Sequence, residues 1–194
     1  MFPYIGRILT ESAILPLILL APAGAAAAEP VETALSPNGK IHILQSETED
    51  GYILYTRLSG GSVKEWTATP RKPEILWYGN IASVRIDGGN YYATDEFTDG
   101  KRRHTAYNLV ALHRPDGCYL GTDADGRIAA AKLFGGKNGI RRLHLPDMAR
   151  DTATPLAALD YQATRFLPDG SLKIAYTARN GKTAEKIFKR PCNF

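Results

Sequence analysis

The sequence predicts an all-β fold, on three observations. The first is composition: 18 Gly and 12 Pro punctuate the 194-residue chain, and its 10 Tyr and 6 Phe far outnumber its 2 Met. Such usage favours many turns and strands over a helical bundle. The second is a recurring turn. Asn38-Gly39, Asp87-Gly88, Asp125-Gly126 and Asp169-Gly170 each precede an apolar run, and such dipeptides make hairpin turns because both central positions accept positive φ. The third is spacing: a second turn comes at Gly51, Gly100, Gly139 and Gly181, leading each time into another run. The repeating unit is a β-meander.

The first glycines of the units lie 49, 38 and 44 residues apart, close to the length of one four-stranded propeller blade. The predicted architecture is therefore a small or incomplete β-propeller-like array of about four β-meander units, near residues 34–80, 81–118, 119–158 and 159–194. Each unit buries one face only by stacking on the next. A β-sandwich built from the same hairpins satisfies the same pattern.

In chain order, KIHILQ (40–45), YILYTRL (52–58) and SVKEW (62–66) are the strands of the first unit, and TPRKP (69–73) is a stiff link. GNYYATDEF (89–97) and HTAYNLVAL (104–112) flank the Asp99-Gly100 turn, and CYLGT (118–122) comes after the turn at Pro115. RIAAAKLF (127–134) and IRRLHL (140–145) form the third unit, SLKIAYT (171–177) and AEKIF (184–188) the fourth. The segment 147–158 has room for a turn or two of helix, but its Thr residues and Pro155 favour a connecting loop.

At 44% hydrophobic and 23% charged, the chain has the composition of one soluble globular domain; disorder, collagen and coiled coil are excluded. Residues 1–28 stand apart. Arg7 closes a short n-region, AILPLILLA (13–21) is an apolar run, and PAGAAAA (22–28) supplies small residues, the pattern of a secretory signal peptide with an A-x-A site at 26–28. An apolar run this short, interrupted by Pro16, falls well below the roughly 20 residues needed to span a bilayer. The expectation is a β-rich domain at 29–194, periplasmic or secreted, without a membrane anchor after cleavage and still carrying a net charge of +4.

Cysteine usage agrees with export. The two cysteines, Cys118 and Cys192, can pair in an oxidising compartment and would tie the C-terminus to mid-chain. No C-x-x-C is present, which removes the support for a redox or zinc role.

Patterns of catalysis are missing: the sequence has no G-x-S-x-G, no H-E-x-x-H, no phosphate-cradling glycine loop and no EF-hand spacing. No catalytic residue, metal ligand or cofactor is assigned. His42, His104, His113 and His144 are scattered one to a segment, without a second His or a carboxylate at chelating spacing, and His42 and His144 are expected inside strands. Asp95 and Glu96 close a strand; alternation puts Asp95 and Phe97 on one face and Glu96 on the other, and both carboxylates are read as solvated strand-end charge. Trp66, Trp77, Tyr78, Tyr91 and Tyr92 are expected to fill the core between units, the alternative being that they line a binding surface.

The remaining feature is Lys101-Arg102-Arg103-His104, directly after Asp99-Gly100 and hence at a hairpin tip. An exported chain rarely meets nucleic acid, so an acidic protein surface, an anionic envelope polymer or a headgroup is the better partner; an ordinary solvated turn is the alternative reading.

Residues 84–118, VRIDGGNYYATDEFTDGKRRHTAYNLVALHRPDGC, resemble a segment of the periplasmic immunity proteins that protect bacteria from type VI secretion amidase effectors. The likeness lies in the Asp-Gly turn, a strand ending in Glu96-Phe97, a short polar hairpin, a strand with Leu109-Val110, and a Cys after the next turn. Lys189-Arg190 ahead of Cys192 is also similar. The resemblance implies a non-enzymatic binding protein whose hairpin loop plugs the cleft of a secreted peptidoglycan amidase, with Thr98, Asp99, Gly100 and Lys101 at the tip. With the adjoining Arg102, Arg103 and His104, these are the candidate partner-binding residues, and the tip is more basic here than in that family. Two other readings are a propeller-type hydrolase or lyase, which would need ligands converging on a channel, and a structural or adaptor domain of the envelope.

Overall fold

The structure is a computed structural model that describes residues 29–88, 93–149 and 156–193; the segment 1–28, read as a signal peptide, and the pair Tyr91-Tyr92 lie outside the described residues. Among these residues the fold is all-β, with a single 3-10 turn (Lys137–Gly139) and no α-helix. The strands are β1 (Val31–Leu35), β2 (Ile41–Thr48), β3 (Gly51–Leu58), β4 (Val63–Thr69), β5 (Ile75–Tyr78), β6 (Ile81–Asp87) and β7 (Ala93–Thr98). They continue as β8 (Arg103–His113), β9 (Cys118–Thr122), β10 (Ile128–Lys132), β11 (Ile140–Arg142), β12 (Arg165–Phe166), β13 (Leu172–Thr177) and β14 (Thr183–Phe188).

Within each sheet, every strand pairs antiparallel with its neighbour in sequence. The meanders form three sheets, β1 to β4, β5 to β11, and β12 to β14. The two middle units are thus joined in one seven-stranded sheet, and β8 is the joint. Its first half pairs with β7 from Thr94↔Tyr107 to Thr98↔Arg103, and its second half pairs with β9 from Ala111↔Leu120 to His113↔Cys118, with the register shifting between Tyr107 and Ala111. A bulge of this kind bends the strand and re-aims its second half. Asn108 sits in the bend at φ 48°, where its side chain accepts the Ala93 N–H at 3.0 Å and donates to Thr122 Oγ1 at 3.1 Å. Opposite it, Gly121 leaves no room for a side chain: a Cβ would lie 2.5 Å from the Tyr107 carbonyl oxygen.

The bend divides the large sheet into halves, and three cores result. Ile41, Ile43, Leu54 and Trp66 of the first sheet pack on Ala82 and Val84, with Trp77 against them. Phe97 and Ala106 pack on Tyr119, Ala131 and Leu133 across the bend, together with Tyr78. Leu120, Ile128 and Ala130 pack on Leu172, Ile174 and Tyr176 of the third sheet. Each apolar face is buried by the next unit, as stacked units require; Trp66 is a core residue, whereas Trp77 and Tyr78 are half-buried at the margins of the first and second cores.

The third unit departs from expectation at its end. The run IRRLHL is a strand only to Arg142, which pairs with Ala129; the Leu143 N–H still reaches the Ile128 carbonyl at 2.9 Å, and the ladder ends there. Leu143 and Leu145 then turn into the third core, and exposed His144 lies outside any strand, unlike His42 in β2. Beyond it, the connecting segment touches the third sheet through Met148↔Ala178 and Leu159↔Tyr176.

Cys118 and Cys192, both buried, form a disulfide with a Cα–Cα distance of 5.8 Å. It links β9 of the large sheet to the tail beyond the last strand of the third sheet. The loop it closes spans 74 residues.

Candidate functional site

The candidate residues Thr98 to His104 span the four-residue connection 99–102 together with the end of β7, Thr98, and the start of β8, Arg103 and His104, and the structure divides them in two. Thr98 is 2% exposed, and its hydroxyl accepts the Gly100 N–H at 3.0 Å. Asp99 Oδ1 accepts the Lys101 and Arg102 N–H groups at 3.0 and 2.7 Å, an Asx turn, while Oδ2 takes Arg102 Nε at 2.8 Å and Nη2 at 2.7 Å. Burial pushes the Asp99 carboxyl up, but the N–H of Arg102, its guanidinium and the N–H of Lys101 outweigh burial and hold it below the usual carboxylate range.

Gly100 is buried at φ 83°, facing the first sheet; an added Cβ would meet Leu58 Cδ2 at 2.7 Å and Ile41 Cγ1 at 3.3 Å. The tip is therefore anchored on a neighbouring unit. Gly100→Ala is expected to lose about 1–2 kcal/mol through the left-handed backbone alone. Lys101→Ala or Arg103→Ala, at exposed positions, should stay within about 0.5 kcal/mol. Denaturant titration of the three variants checks the contrast; equal stabilities would show that the turn does not depend on its contact with Leu58.

The outward part of the turn is Lys101, Arg102 and Arg103, all exposed. His104 leaves them and turns inward. Its Nε2 lies 2.9 Å from the Tyr119 hydroxyl, and its ring meets Tyr119 edge-on at 5.4 Å and Phe134 at 6.0 Å. Burial lowers the His104 pKa and raises that of Tyr119 to about 12, so both are neutral near pH 7.

A residue the sequence reading missed belongs to this site. Phe134 comes from the turn after β10, and the Arg102 guanidinium carbon stands 4.5 Å from its ring centroid. Phe134 has φ 60°, a conformation that costs an aromatic residue about 1–3 kcal/mol. The local signal was an aromatic residue ahead of Gly135-Gly136.

Asp95 overturns its expectation. It shares a face with Phe97 and lies opposite Ala106, against the second core, so it is 6% exposed rather than solvated. Its Oδ2 has no hydrogen-bond partner among the described residues, and Arg85 Nη1 stands 3.9 Å away. Burial is the main cause of a pKa pushed up to about 6; Arg85 lowers it, while Asp87 and Glu96 add to the rise. Glu96, on the other face, is half-buried; burial raises its pKa, and the Thr105 hydroxyl and Arg103 restrain the rise.

Two histidines carry carboxylate partners that their spacing did not reveal. His42 Nδ1 is 2.7 Å from Glu32 Oε2 of the adjacent strand, and His113 Nδ1 is 2.7 Å from Asp116 Oδ1 across a turn. Among the described residues no three His, Cys, Asp or Glu side chains are grouped to hold a metal ion. A cleft of about 330 Å3 lies between the linker after β4 and β6, lined by Arg71, Lys72, Glu74, Arg85 and Asp87. Its charges are of mixed sign.

No family model matches the chain, and no curated protein matches it. A solved structure described as putative TolB from Agrobacterium tumefaciens is similar over 85% of this chain at 15% identity, with a TM-score of 0.39; the match spans 58% of that protein.

Proposed function

We propose that this is an exported, non-enzymatic binding protein that inhibits a cell-wall-degrading effector by seating the β7–β8 turn in its cleft. The target class, a secreted peptidoglycan amidase, rests on the resemblance at residues 84–118. The observation that carries the reading is the division of the turn: three consecutive exposed cations project from a backbone locked by Thr98, Asp99 and Gly100. A loop already held in one conformation has less entropy to lose on binding than a free one. The buried disulfide supports an oxidising compartment such as the periplasm. Thr98 is a support in this reading, because its hydroxyl is already used inside the turn.

The test is capture of the partner from native periplasm, then titration with wild type and with Lys101→Ala/Arg102→Ala/Arg103→Ala. A side chain desolvated at the centre of an interface typically contributes about 2 kcal/mol or more, so the loss of even one such anchor among the three should lower affinity at least about 30-fold. The Tm, read alongside, should fall by no more than about 2–4 °C, from the loss of the Arg102–Asp99 pair. Unchanged affinity in a folded variant would rule the turn out as the docking element.

A further inference from the structure

We propose that Arg102, rather than the basic stretch as a whole, is the recognition anchor, and that it takes a carboxylate of an acidic protein surface end-on through Nη1 and Nη2. This rests on the reading of the turn as the docking element.

The three exposed cations differ in how they are held. The Lys101 side chain makes no hydrogen bond, ion pair or ring contact among the described residues, and Arg103, exposed at the start of β8, has only the electrostatic influence of half-buried Glu96. Arg102 is fixed on two sides. Asp99 Oδ2 takes the edge formed by Nε and Nη2, and the Phe134 ring lies against the guanidinium. The side chain is nevertheless 63% exposed. Nη1 has no partner among the described residues, and Nη2 keeps a second N–H, so the remaining edge of the fork points two parallel donors away from Asp99. That edge matches the two oxygens of a carboxylate.

Phe134 explains why the arrangement is more than a surface ion pair. Its backbone is held at φ 60°, in a turn about 30 residues away in sequence, and its ring packs on His104. Ring and carboxylate together set the plane and direction of the guanidinium before any partner arrives. A carboxylate partner is also favoured by charge: the turn presents three cations, and its one anion, Asp99, is already used inside it.

The experiment is fluorescence anisotropy with a fluorescein-labelled oligoglutamate peptide at low salt, with phosphatidylcholine vesicles containing phosphatidylglycerol as a second probe. Arg102→Lys keeps the charge and loses the planar fork; it is expected to weaken peptide binding about tenfold. Phe134→Ala should weaken it about threefold. Lys101→Gln/Arg103→Gln removes two charges and should weaken it only about two- to threefold. Peptide binding by Arg102→Lys equal to wild type overturns the assignment, as does binding of the vesicles in place of the peptide. If Arg102→Lys is silent while the triple alanine variant still loses the captured partner, the anchor is refuted and the docking turn stands. If the triple variant keeps the partner, both readings fall.

Discussion

Cys118→Ala/Cys192→Ala is expected to lower the Tm by about 10–15 °C. Joining residues 74 apart removes loop-closure entropy from the unfolded chain worth about 4–5 kcal/mol. In a domain of this size each kcal/mol moves the Tm by roughly 2–4 °C. The third sheet should respond first. Its β12 has two residues, and its tail is held by the bridge, by buried Pro191 and by a hydrogen bond from Arg190 Nε to the Asp169 carbonyl at 3.1 Å. Amide protection in β13 and β14 should therefore drop before that in β2 and β3. Scanning calorimetry with and without reductant separates bridge from packing: reductant should bring wild type down to the variant and leave the variant unmoved. A wild-type Tm indifferent to reductant, with both thiols then open to labelling, would refute the stabilising role.

Asp95→Asn is expected to stabilise the protein at pH 7.5 by about 2–3 kcal/mol and to flatten its stability between pH 4 and 6. An ordinary Asp titrates near 3.9 in the unfolded chain, whereas Asp95 in the fold titrates at about 6. Between these values the folded state holds a proton that the unfolded state has released. The stability this confers is fully present below about pH 4 and is lost as pH rises through about 6; two units correspond to about 3 kcal/mol. Above that pH an ionised oxygen sits buried with Arg85 3.9 Å away and no hydrogen bond. His104 works in the opposite sense: its lowered pKa confers stability that is present above about 6.5 and lost as pH falls through its folded value. Denaturant titrations across the pH range, read as the difference between variant and wild type, cancel the His104 contribution. A difference that stays constant from pH 4 to 7.5 would mean that Asp95 does not titrate in this range.

Much of the molecule was legible in the sequence, because the relevant forces are local. An Asn-Gly or Asp-Gly pair makes its own hairpin, and successive hairpins make a meander whatever lies around them. Pairing of two cysteines in an oxidising compartment needs only their number. The position of the tip between β7 and β8 came from the same turns, and strand alternation placed Asp95 and Phe97 on one face.

How the units meet was not legible. Two of them share β8 because Asn108 reaches both Ala93 and Thr122 and Gly121 lets the strands close on the bend, contacts that join residues well apart in the chain. Asp95 is buried on the face it shares with Phe97 and Ala106 of the second core, and alternation along one strand does not say which face is covered. Gly100 rests on Leu58 and Ile41, and Arg102 on Phe134; a run of three cations thus contains one held guanidinium beside two looser charges. By itself the sequence determined most of the strands, their order and the pairing of its two cysteines, since turn chemistry acts within a few residues. Which side chains are buried, and which cation is aimed, only the tertiary structure decided, since desolvation and stacking depend on neighbours brought in from other units.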